Sequence, residues 1–301
     1  MKWGVTFPQF DIGTDPQAIR AFAQAAEDLG FDHLTIYDHL LGADPAAQVP
    51  GWFYFYDHRD PFHEPFVIFA FLAAVTRRIE FFTGILLLSA RPAVLVAKQA
   101  AEIDLLSGGR LRLGIGIGQN EAEHEALGQD FRTRGRRCEE QIEVMRSLWT
   151  HELVDFQGRW HNIRGGGINP LPLQRPIPIW IGGHAEAALR RTARIADGWT
   201  TYLTADEKPE EVIAEIHRYA VEAGRDPAEI GIEARVCLDP TPIARGRKVD
   251  PVRTPEAAAE EARRWETLGA THVTFNSNDV GMKSADLHID AIRRFREALG
   301  D

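Results

Sequence analysis

Short apolar runs rich in β-forming residues alternate along the chain with longer segments whose apolar residues recur at helical spacing. This alternation is typical of βα units and of a parallel sheet. Because eight strands close a (β/α)8 barrel, we predict an α/β chain folded as a TIM barrel. The eight predicted strands are Trp3–Phe7, His33–Tyr37, Ile79–Leu88, Leu111–Ile115, Ile177–Ile181, Gly198–Thr201, Ile230–Cys237 and His272–Phe275.

The segments between the strands carry apolar stripes that predict helices. The first stripe ends at Gly30, a residue suited to the left-handed turn that stops a helix. No linker, repeat or low-complexity stretch interrupts the pattern, so residues 1–301 are expected to form a single domain. The clearest stripes are Ile19, Phe22, Ala23, Ala26 and Leu29; Ile142, Met145 and Trp149; Ala258, Ala262 and Trp265; and Ile289, Ile292, Phe295 and Leu299.

Three connections are too long to be simple turns, and we interpret them as insertions in the barrel. Residues 40–64 follow the second strand and residues 116–133 follow the fourth. Residues 153–176 precede the fifth strand and contain a predicted hairpin around Gln157. A further loop, residues 239–254, follows the seventh strand. Long loops in a compact domain are usually functional, and in this fold the loops after strands build the active-site face.

The composition, 44% hydrophobic and 26% charged, is that of an ordinary globular protein. A formal net charge of -10 argues against nucleic acid or an anionic membrane as the main partner. The chain has no apolar run of about twenty residues that could span a membrane. Its two cysteines, Cys138 and Cys237, show no metal-ligand spacing and indicate a reducing compartment. We therefore predict a cytoplasmic protein that binds a small molecule.

Polar and glycine residues cluster just beyond the predicted strand ends. Since the carboxyl ends of the strands meet at one face of a barrel, these residues predict a ligand site there. The cluster comprises Gln9, Asp38, His39, Thr83, Gly84, Gly116, Gly118, Gln119, Asn120, Glu121, Gly182, Gly183, His184, Thr200, Thr201 and Asn276.

Two glycine-rich segments need separate interpretations. Gly182 and Gly183 lie between a predicted strand and a predicted helix, where they suit either an anion held by backbone amides or a tight turn alone. The segment from Gly114 to Gly118 resembles a dinucleotide fingerprint, but Gln119 replaces its third glycine and the segment follows the fourth strand. We interpret these glycines as allowing a flat ligand to approach the backbone, where Asn120 and Glu121 could contact it.

Asp38 and His39 end the second predicted strand. An acidic residue beside a histidine suits general acid–base catalysis, although a capping aspartate and a surface histidine would give the same pattern. The pairs Asp57-His58 and His63-Glu64 lack the spacing of metal ligands, and we predict no metal.

Across nearly its whole length the sequence resembles the luciferase-like monooxygenase family, and within it the actinobacterial branch of probable coenzyme F420-dependent oxidoreductases. Four stretches carry the resemblance: residues 25–32 with Asp38-His39; residues 91–100; residues 104–118; and residues 176–183. Each stretch is weakly specific, and their combination is specific.

The resemblance implies a flavin or deazaflavin ring lying across the strand ends, lined by Asp38 and His39, with His39 as the acid–base residue. It also implies a non-proline cis peptide at Gly84-Ile85 and a phosphate-binding turn at Gly182 and Gly183, with Thr201 a weaker match. Where several deazaflavin relatives have a catalytic glutamate this chain has Gln119, so protonation is expected from His39, Glu121 or the substrate.

We therefore predict an F420-dependent oxidoreductase that transfers a hydride to or from a small organic substrate bound under residues 40–64. The aromatic cluster Trp52–Tyr56 would wall that pocket, or else belong to the core or to a dimer interface. An FMN-dependent two-component monooxygenase is the alternative, followed by a non-catalytic binding barrel and a metal hydrolase. The resemblance implies a homodimer, and Arg245, Arg247 and Lys248 would suit the acidic tail of F420.

Overall fold

In the computed structural model, which describes residues 1–52, 55–201, 203, 207–238 and 253–300, the predicted strands close into a parallel barrel. The barrel order is β3-β2-β1-β11-β10-β9-β8-β5, and β5 also pairs with β3, which closes the ring. The strands are β1 (Lys2–Thr6), β2 (His33–Ile36), β3 (Glu80–Thr83), β4 (Leu86–Leu87), β5 (Leu111–Gly116), β6 (Val154–Gln157), β7 (Asn162–Gly166), β8 (Ile179–Gly182), β9 (Gly198–Thr200), β10 (Gly231–Cys237) and β11 (His272–Asn276).

Helices surround the barrel, and the predicted apolar stripes face it. On the first helix the Asp15 carboxylate accepts a hydrogen bond from the Gln17 amide and Pro16 occupies the first turn, which are favourable start signals. Ile19, Phe22, Ala23 and Ala26 of this helix are buried, as predicted. The helices are α1 (Pro16–Asp28), α2 (Pro65–Val75), α3 (Ala93–Ser107), α4 (Glu121–Ala126), α5 (Arg134–Thr150), α6 (Glu186–Ile195), α7 (Pro209–Glu222), α8 (Pro255–Thr267) and α9 (Ala285–Leu299).

Short 3-10 turns in the described part of the chain supplement the helices: Pro45–Ala47, Leu88–Ala90, Phe131–Thr133 and Pro227–Glu229. Within the described ranges, no helix combines the length and the apolar character needed to cross a bilayer. The strongly apolar helix α2 has only 11 residues.

The third strand differs from the prediction, because the run from Ile79 to Leu88 is not one continuous strand. It divides into β3 and β4, and the Gly84-Ile85 peptide between them is cis. This bond confirms the position that the family resemblance implied. Both halves of the run are apolar β-formers, so periodicity could not reveal the break. The break turns Ile85 toward the carboxyl end of the barrel.

A buried ion pair lies inside the barrel. Arg112 of β5 donates a hydrogen bond of 2.9 Å to Glu233 of β10, and its guanidinium carbon lies 3.9 Å from the centre of the Phe82 ring. Glu233 also accepts from Thr274 of β11. Gly4 makes room for the neighbouring His33 ring, because a β-carbon at Gly4 would lie 2.1 Å from His33 Nε2. The barrel is therefore filled by side chains below its mouth.

The predicted hairpin is confirmed as the antiparallel pair β6–β7. It leaves the end of α5 and folds back on that helix, where Glu140 accepts hydrogen bonds from the Arg159, Trp160 and His161 amides. A connection that precedes a strand lies at the amino end of the barrel. This insertion therefore braces α5, and the loops after β2 and β5 remain to build the mouth.

Candidate active site

Asp38 connects three parts of the barrel mouth. Its Oδ1 accepts a 2.7 Å hydrogen bond from Arg91, and its Oδ2 accepts from the Leu87 amide of β4 at 2.9 Å. Arg91 also donates to Glu64, at the end of the long loop after β2. Burial raises the pKa of the Asp38 carboxyl, and the charge and hydrogen bonds of Arg91 oppose that effect. Asp38 therefore links β4 and Arg91 to the end of β2 by hydrogen bonds.

His39, the next residue, is held by a glutamate that the sequence did not indicate. Its Nδ1 lies 3.3 Å from Oε2 of Glu123 on α4. Glu123 is 1% exposed, and its Oε1 accepts hydrogen bonds from the Leu40 amide at 2.8 Å and the Leu41 amide at 3.4 Å. Burial acts to raise the pKa of Glu123, but the hydrogen bonds and the charge of His39 outweigh it, so that pKa lies below its usual range.

Aromatic rings from the loop after β2 enclose the imidazole. The Tyr56 ring lies 3.8 Å from the His39 ring, centre to centre, while Phe55 and Phe62 contact it edge-on at 5.4 and 4.9 Å. The Tyr56 hydroxyl donates to Glu123 at 3.1 Å and accepts from the Asn120 amide nitrogen at 2.8 Å. Phe55 and Tyr56 of the predicted aromatic cluster thus pack on His39, and Trp52 packs on Tyr56. The cluster members Phe53 and Tyr54 lie outside the described residues.

Ile85 occupies the space left by two glycines. A β-carbon on Gly116 would lie 2.5 Å from Ile85 Cδ1, and one on Gly182 would lie 2.8 Å from Ile85 Cγ2. Gly116, which was expected to let a flat ligand approach the backbone, therefore first makes room for this side chain, and so does Gly182 of the expected phosphate turn. Ile85 sits where β3, β5 and β8 end, and offers an apolar surface between the polar groups of the mouth.

A cation lies beside Ile85. Arg235 of β10 donates a 3.2 Å hydrogen bond to the Gly84 carbonyl, and its guanidinium carbon lies 4.9 Å from the centre of the Tyr37 ring. Its backbone amide donates to the Thr201 hydroxyl at 3.2 Å. Burial raises the pKa of Tyr37 to about 12. Arg235 and Tyr37 therefore join the end of β2 to the ends of β3, β9 and β10.

The turn at Gly182 and Gly183 has the form of an anion site. Gly183 has a φ of 118°, and its carbonyl accepts a 2.8 Å hydrogen bond from the Trp199 indole nitrogen. The following helix, α6, has no side-chain cap at its start, and in its first turn the Ala188 amide donates to the Ala185 carbonyl. His184 Nδ1 lies 2.8 Å from Glu207. The amide-rich turn and its adjacent imidazole suit a phosphate.

The remaining predicted residues have different surroundings. Thr83 is buried and donates to the Gly114 carbonyl, so it supports the barrel wall. Gln119 is exposed. The Glu121 amide donates to the Gly51 carbonyl at 3.0 Å, which places Glu121 under the loop after β2. The role predicted for Glu121 remains a prediction, and Glu123, two residues later, is the acid that contacts His39.

Two further predictions concern charged groups. Asp57 binds Arg59, and Glu64 binds Arg91, so each carboxylate of the two Asp/Glu–His pairs already has a cationic partner. The basic residues expected to meet the acidic tail of F420, Arg245, Arg247 and Lys248, lie outside the described residues.

The mouth thus brings together the apolar side chain of Ile85, the hydrogen-bonded imidazole of His39 and the glycine turn at Gly182 and Gly183. The family model of the luciferase-like monooxygenases matches residues 4–296. The chain belongs to the luciferase-like monooxygenase family. This membership confirms the resemblance inferred from the sequence stretches around Asp38, Arg91, Gly114 and Gly182.

Individual relatives of this luciferase-like protein include characterised and uncharacterised chains. An uncharacterised protein of Mycobacterium tuberculosis is 40% identical over 218 residues, covering 70% of this chain and 74% of that protein. The F420-dependent glucose-6-phosphate dehydrogenase of Gordonia bronchialis is 28% identical over 297 residues, covering 93% and 79% of the two chains.

A solved structure shares the fold. It is an F420-dependent secondary alcohol dehydrogenase in complex with an F420-acetone adduct, with a TM-score of 0.76 and 16% identity, and the match covers 100% of this chain and 99% of that one. At this identity the comparison bears on the fold alone. It agrees with the luciferase-like barrel described above.

Proposed function

We propose that this protein is an F420-dependent oxidoreductase that transfers a hydride to or from a small organic substrate. The observation that supports it most is the position of His39, Ile85 and the Gly182-Gly183 turn at one barrel mouth. The F420-dependent relative of Gordonia bronchialis lends support by similarity. The substrate would lie beneath the loop after β2, against the rings of Phe55, Tyr56 and Phe62.

The residues present fit such a cofactor. Ile85, with no β-carbon beside it at Gly116 or Gly182, offers an apolar support for a planar ring. The Gly182-Gly183 turn offers amides to a phosphate, and His184 lies beside them. When bound, a deazaflavin supplies a ring carbon that accepts or donates a hydride. The role of this chain is to bind the ring, the phosphate and the substrate in fixed relative positions and to exclude water.

His39 is the group proposed to move the proton. In the direction of alcohol oxidation it would take the proton of the substrate hydroxyl while the adjacent carbon loses a hydride, and in the reverse direction it would return that proton. Gln119 cannot act as an acid, and it is exposed. Asp38 is already bonded to Arg91 and Leu87, so we assign it the role of positioning the end of β2.

Titration of the purified apoprotein with F420 and, separately, with FMN tests the proposal. We expect saturable one-site binding of F420, followed by its fluorescence, and much weaker binding of FMN. Tight FMN binding with no measurable affinity for F420 would overturn the proposal and favour the FMN-dependent monooxygenase, because Ile85 and the glycine turn would serve either ring and phosphate.

A His39→Ala variant separates an enzyme from a non-catalytic binding barrel. If the protein is an enzyme that uses His39, the variant keeps F420 binding within a few-fold and loses hydride transfer by about 100-fold or more. Unchanged turnover would remove His39 from the mechanism. The readout is the change of the deazaflavin absorbance with a panel of small alcohols, aldehydes and ketones.

We also propose that two copies associate through helices α2 and α3. Val67 of α2 is 70% exposed, and Leu95 and Leu106 of α3 are 52% and 60% exposed. Exposed aliphatic side chains on neighbouring helices are typical of an interface between copies.

A further inference from the structure

The hydrogen bonds that join His39, Glu123 and Tyr56 indicate where their shared protons lie, which allows an inference about the chemistry of His39. This inference rests on the proposed function, in which His39 moves a proton. The two oxygens of the Glu123 carboxylate have separate partners: Oε1 accepts from the backbone amides of Leu40 and Leu41, and Oε2 faces His39 and the Tyr56 hydroxyl.

The proton on the Tyr56 hydroxyl has one available direction. The Asn120 amide nitrogen can only donate, so the Tyr56 oxygen accepts from it at 2.8 Å. The Tyr56 hydrogen is then free to point at Glu123 Oε2, 3.1 Å away. Tyr56 therefore stabilises the ionised form of Glu123 while its ring lies against the imidazole.

An ionised carboxylate can only accept hydrogen bonds. The His39 nitrogen that faces Glu123 Oε2 is Nδ1, at 3.3 Å, so Nδ1 carries the hydrogen and Nε2 carries the lone pair when the ring is neutral. Two backbone amides and a buried position fix the carboxylate itself. The other groups packed on the ring, Phe55 and Phe62, are uncharged, and the Asp38 carboxylate is turned to Arg91.

We propose that Glu123 and Tyr56 are positioning residues that fix His39 as the Nδ1–H tautomer, leaving Nε2 as the atom that exchanges a proton with the substrate. Glu123 does not touch the substrate in this assignment. It determines which imidazole nitrogen is basic, in the way that a buried carboxylate sets the tautomer of a catalytic histidine elsewhere.

The variant Glu123→Gln gives a sharp test, because the Leu40 and Leu41 amides would hold the oxygen of the new side chain. Its NH2 group would then replace Oε2 and donate to His39 Nδ1. The imidazole would be forced into the opposite, Nε2–H, tautomer. A merely structural role for Glu123 predicts no such reversal.

The experiment is long-range 1H–15N correlation spectroscopy of the 15N-histidine-labelled protein at a pH near 8, with His39 assigned by comparison with a His39→Gln variant. We expect the Nδ1–H tautomer in the wild type, the Nε2–H tautomer in Glu123→Gln, and a smaller excess of the Nδ1–H tautomer in Tyr56→Phe, which keeps the Glu123 carboxylate but loses the hydroxyl that stabilises it. An Nε2–H tautomer in the wild type would overturn the proposal, and so would an unchanged spectrum in a folded Glu123→Gln protein. If Glu123→Gln does not fold, the wild-type and Tyr56→Phe spectra decide.

The chain offers a matched control. His161 Nδ1 lies 2.8 Å from Glu140 Oε1, so Glu140→Gln removes a second His–Glu contact, on α5 and away from the mouth. This variant is expected to change the His161 signals and to leave those of His39 and F420 binding unaltered. Failure of wild-type F420 binding with an intact Nδ1–H tautomer at His39 would count against the proposed function and leave the positioning role standing.

Discussion

Ile85 Cδ1 occupies the space beside Gly116 so closely that a β-carbon on that glycine would lie 2.5 Å from it. The relationship explains why a glycine stands at the end of β5, where the Gly116 backbone is not in the left-handed region. It also ties the break between β3 and β4 to the surface on which we propose a planar ring lies.

We predict that Gly116→Ala lowers the free energy of unfolding by about 1–3 kcal/mol, because the new methyl group overpacks against Ile85. In an Ile85→Ala background the same change should cost far less, since the clashing atoms are gone. Urea denaturation of the two single variants and the double variant gives the interaction free energy. Simple additivity of the two single effects would show that Ile85 is not the cause.

The buried pair Arg112–Glu233 should dominate the charge contribution to stability. Glu233 is 1% exposed, and Glu233→Gln leaves the Arg112 cation with only the partly exposed Glu80 carboxylate, 4.0 Å away, as a charged partner. We expect the free energy of unfolding to fall by roughly 3 kcal/mol. The exposed pair Arg294–Glu256 is the control, and Glu256→Gln should leave the urea midpoint unchanged. Equal effects of the two variants would contradict the prediction.

Acidification should destabilise the fold through His288. Its Nδ1 accepts from Ser277 and its Nε2 donates to the Met282 carbonyl, both within 2.9 Å, and burial lowers its pKa from 6.5 to about 4. A histidine with a depressed pKa contributes stability above its unfolded pKa and loses it as the pH falls toward the folded pKa. The wild type should therefore lose roughly 3 kcal/mol through this group between pH 6.5 and 4.

A His288→Gln variant should be less stable at pH 7 and lose stability less steeply on acidification. The exposed His58 supplies the control variant, His58→Gln, whose pH dependence should match the wild type. Urea denaturation at a series of pH values measures both slopes. The same slope in His288→Gln as in the wild type would refute the assignment.

If two copies associate through α2 and α3, a charge introduced at Val67 on α2 should disrupt the dimer. A charge introduced at Val221 on α7 should not. Val67 on α2 and Val221 on α7 are 70% and 66% exposed, so glutamate at either site is compatible with folding. We expect Val67→Glu to convert a dimer into a monomer and Val221→Glu to leave it intact, as judged by light scattering on a sizing column. A monomeric wild type, or dissociation by both variants, would contradict the proposal.

Much of the architecture follows from the sequence. The alternation of strand-like runs and apolar stripes predicted the barrel and the stripe that α1 buries, because those patterns are local and depend on burial of one face. The break at Gly84 could not be predicted from such a pattern. The run around it remains apolar on both sides, and only the resemblance to a family indicated the cis peptide.

The position of a site at the strand ends remains a prediction, and the sequence did not indicate the contacts within it. Asp38 and His39 were identified because they end a strand, but the partner of His39 is 84 positions away on a short helix that also carries Glu121 and Glu125. Glu121, Glu123 and Glu125 alternate along this helix, and the sequence does not indicate which of them faces inward. Only the packing of the loop after β2 against α4 selects Glu123.

A crystal structure of the protein with oxidised F420 tests the central claim most directly. We predict the ring against Ile85, within reach of His39 Nε2, and the phosphate on the Gly182-Gly183 amides. A cofactor bound elsewhere would contradict the account.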